Sequence, residues 1–259
     1  MLRPIRTAAV IALAASGAAL GAAAPVSAEG LRDYAPPAAA SGTTRGVFFA
    51  GYDGMEGVNY EFAGTIVAFN GDLARNGWAF RTYGARVDYD TNPGDGRGWQ
   101  GDVMLGYIFT RGHLSGGIFG GVDYQNYKLS PDDPLAEIRG TEWGFKVSGS
   151  MMTSKELPYY FDINASYSTA FSSYWARART GLNRRGMTFG PEFIAMGSDG
   201  FDAQRVGGFL TFTLDRVHER PIEVTLSAGH HFLSGSGGAI SGTSGEEGLY
   251  GAITFAIGF

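Results

Sequence analysis

The sequence predicts an all-β protein, an antiparallel transmembrane β-barrel of about twelve strands within a range of 10–14. Three observations predict it. From Gly46 onward the chain repeats segments in which apolar or aromatic side chains alternate with small or polar ones, a period of two that gives a strand two unlike faces. A soluble sandwich shares that alternation, but these segments run to about ten to twelve residues, roughly twice the usual soluble strand and suited to a tilted bilayer crossing. Finally, Leu249, Gly251, Ile253, Phe255, Ile257 and Phe259 alternate up to a terminal phenylalanine.

The elements follow in order. Residues 1–28 carry Arg3 and Arg6, an apolar stretch from Ala8 to Ala24, and the small-residue cleavage site Val26-Ser27-Ala28, which together read as a Sec-type signal peptide. Its removal takes away two arginines and no acid, lowering the net charge from −5 to −7. Residues 29–45 include a Pro/Ala/Ser-rich stretch with Pro36-Pro37 and no apolar period, a flexible periplasmic leader. The barrel occupies 46–259, and no later stretch has the 18 or so apolar residues of a membrane helix. If the mature protein lies in a membrane, it does so as a closed sheet.

The expected strands are 46–53, 58–69, 78–89, 99–110, 113–127, 141–153, 159–170, 174–182, 187–197, 204–215, 221–232 and 248–259. In the sixth, Trp143, Phe145, Val147, Gly149 and Met151 oppose Glu142, Gly144, Lys146, Ser148 and Ser150. In the seventh, Tyr159, Phe161, Ile163, Ala165 and Tyr167 oppose Tyr160, Asp162, Asn164, Ser166 and Ser168. Connections after even-numbered strands are mostly tight, as at Arg111-Gly112, 183–186 and 216–220, whereas several after odd-numbered strands are long, as at 91–98, 128–140 and 233–247. Short periplasmic turns with long outer loops are the outer-membrane arrangement, with both chain ends in the periplasm. The twelfth strand, through Phe255, Ile257 and Phe259, has the form of the signal read by the barrel assembly machinery.

Composition agrees and excludes much else. Charged residues make up 17%, against about 25% in soluble domains. Glycine, at 41 residues, is roughly double its usual share. With no cysteine, the chain has no disulfide scaffold, thiolate zinc site or cysteine nucleophile, and it lacks the basic excess of a nucleic-acid binder.

Gly51-Tyr52-Asp53, the run Phe69-Asn70-Gly71-Asp72-Leu73 followed by Gly77-Trp78 and Arg81, and the Gly/Tyr-rich strands after them resemble the cellulose biosynthesis protein BcsS family, most strongly in AFNGDLARNGW. The resemblance spans about Gly46 to Phe259. It implies an accessory protein made alongside bacterial cellulose synthase in Gram-negative bacteria, and it brings no catalytic motif to transfer.

The face opposite the lipid collects Asn59, Glu61, Gln100, Asp102, Asp123, Glu142, Lys146, Asp162, Asn164, Arg177, Arg179, Glu192, Arg205, Glu223 and His231. Acids and arginines in a narrow interior pair with one another and fill it. The same lining, with Tyr160 and Tyr250, also suits contact with a sugar chain, since tyrosine offers a flat apolar face and a hydroxyl. Both readings use the same residues. Twelve strands make a narrower barrel than the 16–18 typical of open channels, which favours an accessory or docking role over a polymer conduit.

Enzymatic readings find little footing. His231 and Ser227 share a strand face but stand about 13 Å apart, so no nucleophile and base meet. His230 falls on the apolar face, His113 and His218 lie at turns, and the four histidines have no metal-ligand spacing. Asp132-Asp133 and Glu246-Glu247 sit in expected outer loops without a calcium-loop pattern. Trp78, Trp99, Trp143 and Trp175 fit an interfacial girdle, with a carbohydrate platform as the alternative. The function expected is non-catalytic support of cellulose production or secretion, with a small-solute channel and an outer-membrane lipid hydrolase as competing classes. No cofactor or metal is expected. The expected partners are outer-membrane lipid and lipopolysaccharide, the assembly machinery, the cellulose chain and the synthase export components.

Overall fold

Every strand expected from the alternation is present in the computed structural model, which describes residues 44–259 apart from 92, 93, 133, 135, 137, 200, 218, 219 and 235–246. The expected signal peptide and nearly all of the leader lie outside the described residues. The strands are β1 (Gly46–Met55), β2 (Val58–Ala68), β3 (Gly77–Thr91), β4 (Gly94–Arg111), β5 (Leu114–Ser130), β6 (Gly140–Thr153), β7 (Tyr159–Ser168), β8 (Tyr174–Arg184), β9 (Met187–Ser198), β10 (Phe201–Val217), β11 (Arg220–Ser234) and β12 (Gly248–Gly258). Each pairs antiparallel with its sequence neighbours, and β1 pairs with β12 to close the barrel.

The closing register runs from Val47 opposite Gly258 to Met55 opposite Tyr250. Beyond it, the Phe259 amide donates to the Gly46 carbonyl at 2.8 Å and the Gly46 amide donates back at 3.0 Å. No strand edge is left for lipid at this seam, which is the condition for a sheet to cross a bilayer.

The wall is turned inside out relative to a soluble protein. Ile118, Val103, Phe145 and Phe255 are exposed on its outer face, whereas Lys146, Asp102, Asp123 and Gln125 are buried inside. That inversion suits an apolar solvent.

Glycine explains how a narrow interior holds so many rings. A Cβ on Gly98 would stand 2.5 Å from the Tyr127 ring, and one on Gly96 would stand 2.0 Å from Tyr89. Gly64 makes the same room for Phe49, and Gly106 for Phe119. This also corrects one expected connection. Of the run expected as a loop at 91–98, Thr91 and residues 94–98 are strand, because Gly96 and Gly98 are sockets for neighbouring rings and Thr91 pairs directly with Gly94.

The loop asymmetry is weaker than the sequence suggests. At the end away from the chain termini, β1–β2, β3–β4 and β9–β10 are joined by only two residues each. At the terminal end, residues 69–76 form a longer connection, organised by Asx hydrogen bonds. The Asp72 amide donates to Asn70 Oδ1 at 3.0 Å, the Ala74 amide donates to Asp72 Oδ1 at 3.0 Å, and Leu73 is buried.

Two predictions follow from seam and sockets. Deleting Phe259 removes both closing hydrogen bonds and a ring lying over Gly46, so the heat-modifiable, folded fraction on a gel should fall; an undiminished fraction would count against the seam's role. Gly98→Ala should destabilise the barrel by about 1–3 kcal/mol through overpacking. Gly84→Ala, where nothing lies within 4 Å of the added Cβ, should be near neutral in the same thermal unfolding measurement.

Candidate functional site

Among the described residues the interior gathers most of the buried charged groups, and it is built in two styles. Along β1–β3 it is aromatic: Tyr60 and Phe62 stack at 5.8 Å between ring centres, Phe62 and Tyr83 at 6.2 Å, and Phe49 and Tyr83 at 6.4 Å. Across β4–β12, joined by Asp53 of β1 and Arg81 of β3, it is largely ionic.

The ionic part divides into three groups. In the first, Lys146 Nζ donates to Asp102 Oδ2 at 3.0 Å, with Arg81 Nη2 3.9 Å from the same oxygen and Arg81 Nη1 donating to Ser148 at 3.1 Å. The second joins distant strands. Arg205 Nη1 donates to Asp53 at 2.6 Å, its Nε to His231 Nδ1 at 3.3 Å, and its guanidinium lies 4.9 Å from the centre of the Tyr250 ring. Tyr250 then donates to Glu192 at 3.1 Å, and Glu192 pairs with Arg179, whose Nη2 donates to Ser227 at 2.9 Å. The third lies nearest the chain termini, where Arg177 pairs with Asp162 at 3.2 Å and Lys155 with Glu223 at 2.5 Å. Asn164 Nδ2 donates to Asp162 at 2.7 Å.

The loop end is plugged. Residues 169–173 fold inward through a 3-10 turn, Ala170–Ser172, in which Phe171 and Ser172 hold left-handed φ values of 49° and 48°. The Phe171 amide donates to Glu142 at 2.7 Å, and its ring meets Tyr127 edge-on at 5.5 Å. Gln125 Nε2 donates to Ser173 Oγ at 2.9 Å, and Ile138, from the β5–β6 connection, is also buried. The turn fills a step in the wall. Gly140–Phe145 of β6 pair with β5 alone, and Thr169 exchanges hydrogen bonds with Phe145 beside that free edge.

The expected lining residues are therefore placed as follows. Asp102, Lys146, Tyr160, Asp162, Arg177, Arg179, Glu192, Arg205, Glu223 and Tyr250 are buried in the interior, with Gln100, Asp123, Asn164 and His231. Glu142 lies at the loop-end rim, exposed, under the plug. Glu61 and Asn59 are corrections. They point outward because β2 turns Tyr60 and Phe62 inward, and Asn59 instead accepts a hydrogen bond from Tyr52. Trp175 is another: it is fully buried, whereas Trp78, Trp99 and Trp143 stand on the outer face. The parity it shares with Arg177 and Arg179 was the available signal. Phe255, Ile257 and Phe259 lie on one outward face of the last strand.

Sequence reasoning missed Asp53, Arg81 and Lys155. Asp53 and Arg81 share faces with apolar or aromatic neighbours, Val47 and Phe49 or Ala79 and Tyr83, so alternation gave those faces no polar signature. Lys155 lies in a turn and reaches inward to Glu223.

The candidate nucleophile and base do not meet. Ser227 bonds Arg179 and Glu192, while His231 Nδ1 accepts from Arg205. Among the described residues no three His, Asp or Glu side chains gather as metal ligands. Asp132 pairs with Arg139 at 3.2 Å; Asp133 and Glu246 lie outside the described residues.

The Lys146–Asp102 pair is fully buried, so Asp102→Asn, which leaves Lys146 and Arg81 facing a neutral amide, should cost about 3–5 kcal/mol in unfolding free energy. Lys146→Met should cost less, because Arg81 stays beside Asp102. The apolar double variant Asp102→Leu/Lys146→Met should recover part of the loss. Unchanged melting of Asp102→Asn would mean a water-filled interior.

Three solved structures are similar to the chain at low identity. KdgM porin is 9% identical, the match covers 82% of this chain and 99% of that one, and the TM-score is 0.48. CdiB from Acinetobacter baumannii is 6% identical, with 83% and 60% covered and a TM-score of 0.41. CdiB from Escherichia coli is 12% identical, with 83% and 63% covered and a TM-score of 0.39. No curated protein matches the sequence. The family model described as cellulose biosynthesis protein BcsS matches residues 47–259, nearly the whole barrel from β1 to the last residue. The chain belongs to the cellulose biosynthesis protein BcsS family.

Proposed function

We propose that this barrel resides in the outer membrane and supports cellulose production or secretion without catalysing a reaction. The observation that carries the reading is the interior: Lys146, Gln125, Trp175 and His231 have no exposed surface. An aqueous passage would leave such lining groups wet. The polymer therefore passes beside this protein or touches one of its ends, and the barrel acts as a docking or supporting element. The apolar outer face and closed ladder support the membrane assignment, since lipid tolerates sheets only without open edges.

The same interior argues against the competing classes. A small-solute channel needs an open interior, and a serine hydrolase needs a base within hydrogen-bond reach of its nucleophile. In an outer-membrane barrel with both chain ends in the periplasm, the 69–76 connection lies on the periplasmic side and the Phe171 end outside.

Deleting the gene should lower extracellular cellulose while leaving glucan synthesis by isolated inner membranes intact, because an outer-membrane protein acts after polymerisation. The purified barrel in a planar bilayer should give no steady ion conductance. Equal cellulose output from both strains would defeat the supporting role, and a stable conductance would restore the channel.

A further inference from the structure

The outer wall is not apolar throughout. In the loop-end halves of β3, β4 and β5, Arg86, Arg97 and Lys128 stand on the outward face, brought side by side by a register that sets Arg86 opposite Trp99 and Arg97 between Asp88 and Lys128. We propose that this patch binds the phosphorylated head of an outer-leaflet glycolipid, the lipid A of lipopolysaccharide; the choice of that leaflet rests on the outer-membrane reading above.

Depth argues for a headgroup. Trp78 and Tyr107 pack edge-on at 5.8 Å towards the opposite rim, and Arg97 precedes Tyr107 by ten residues on β4, roughly 26 Å along the barrel axis for a strand tilted by about 40°. That is the height of the apolar band of such barrels. Beneath the patch Tyr124 meets Trp143 at 4.9 Å, and Val103, Val122 and Phe145 are exposed on the outer face. The cations thus stand where acyl chains end and phosphates begin. By contrast, the loop-end halves of β9, β10 and β11 present Phe193, Val206 and Phe232.

The donors suit phosphate. Asp88 accepts from Arg86 Nη2 at 3.1 Å and from Arg97 Nε at 2.7 Å, so one carboxylate holds two guanidinium groups. Among the described residues the Arg97 Nη groups and the exposed Lys128 ammonium have no partner. A guanidinium fork beside an ammonium is the donor set that phosphate oxygens take. Glu61 stands opposite Arg86, and Asp90 and Asp95 face each other nearer the hairpin tip, so the anion settles between Arg97 and Lys128, below the tip. Trp99, its ring 5.7 Å from the Arg86 guanidinium, offers a face to the sugar of the head.

A hollow lies directly beneath. Ala63, Gly84 and Gly101 form one row across β2–β4, and a Cβ on Gly84 would meet nothing within 4 Å. Bounded by Tyr124, which stands opposite Gly101, the row admits the first segment of an acyl chain hanging from the bound head.

The test is native mass spectrometry of the full barrel in detergent micelles titrated with diphosphoryl lipid A, with phosphatidylglycerol as the competing anionic lipid. Arg97→Gln/Lys128→Gln removes two cations of the patch, Gly84→Trp fills the hollow, and Arg111→Gln/Arg184→Gln makes the same charge change at exposed positions of the opposite rim; heat-modifiable gel migration reports whether each is folded. Wild type and the opposite-rim variant should bind lipid A alike, and the two patch variants about ten-fold or more weakly. If Arg97→Gln/Lys128→Gln does not fold, Gly84→Trp gives the readout. Wild-type affinity in a folded patch variant, an equal loss in the opposite-rim variant, or displacement of lipid A by equimolar phosphatidylglycerol would overturn the proposal. Recovery of the barrel in the outer membrane without lipid A binding would overturn the patch and leave the location standing. Selective lipid A binding by a barrel recovered elsewhere would uphold the patch and overturn the location.

Discussion

Pairing between the first and last strands is the interaction on which everything else depends. Lipid supplies no partner for an amide or carbonyl, so a twelve-stranded sheet left open along β1 and β12 would expose a row of unpaired groups at several kcal/mol each. Once the seam closes, the cylinder has a fixed circumference and its interior becomes a bounded volume. What fills that volume is then a packing problem set by closure, and the unusual glycine and aromatic content answers it.

The interior is filled differently around the circumference. On β1–β3 the rings of Phe49, Tyr60, Phe62 and Tyr83 occupy the space, with glycines beneath rings on neighbouring strands. From β4 round to β12 the filling is largely charged, and its pairs reach elements far apart in sequence, as when Arg205 of β10 meets Asp53 of β1. Such pairs repay their desolvation only with good geometry and complete partners. Their value lies in registration: Asp53 on β1, Arg205 on β10 and Tyr250 on β12 meet only if the seam has closed in its proper register. The ionic network thus reports on closure and penalises a slipped register, which would turn every side chain to the other face.

The number of strands and nearly all their boundaries were legible in the sequence, because period-two alternation over bilayer-crossing lengths is hard to satisfy otherwise. The direction of each face was legible only where one parity was clearly polar. On β7 and β8 it was, and Asp162, Arg177 and Arg179 lie inside as their pattern implies. On β1, β2 and β3 it was not: both faces carry rings, so Glu61 was placed inside and Asp53 and Arg81 were passed over. The inward fold of residues 169–173 left no trace at all. It depends on a free edge of β6 that arises from a register difference between neighbouring strands, a property no single segment carries.

That inward turn has a thermodynamic meaning of its own. Phe171 and Ser172 hold left-handed backbone that costs energy, and burial of the Phe171 ring together with its amide's hydrogen bond to Glu142 offsets it. The turn is therefore held by the wall beside it and would relax if β6 moved away.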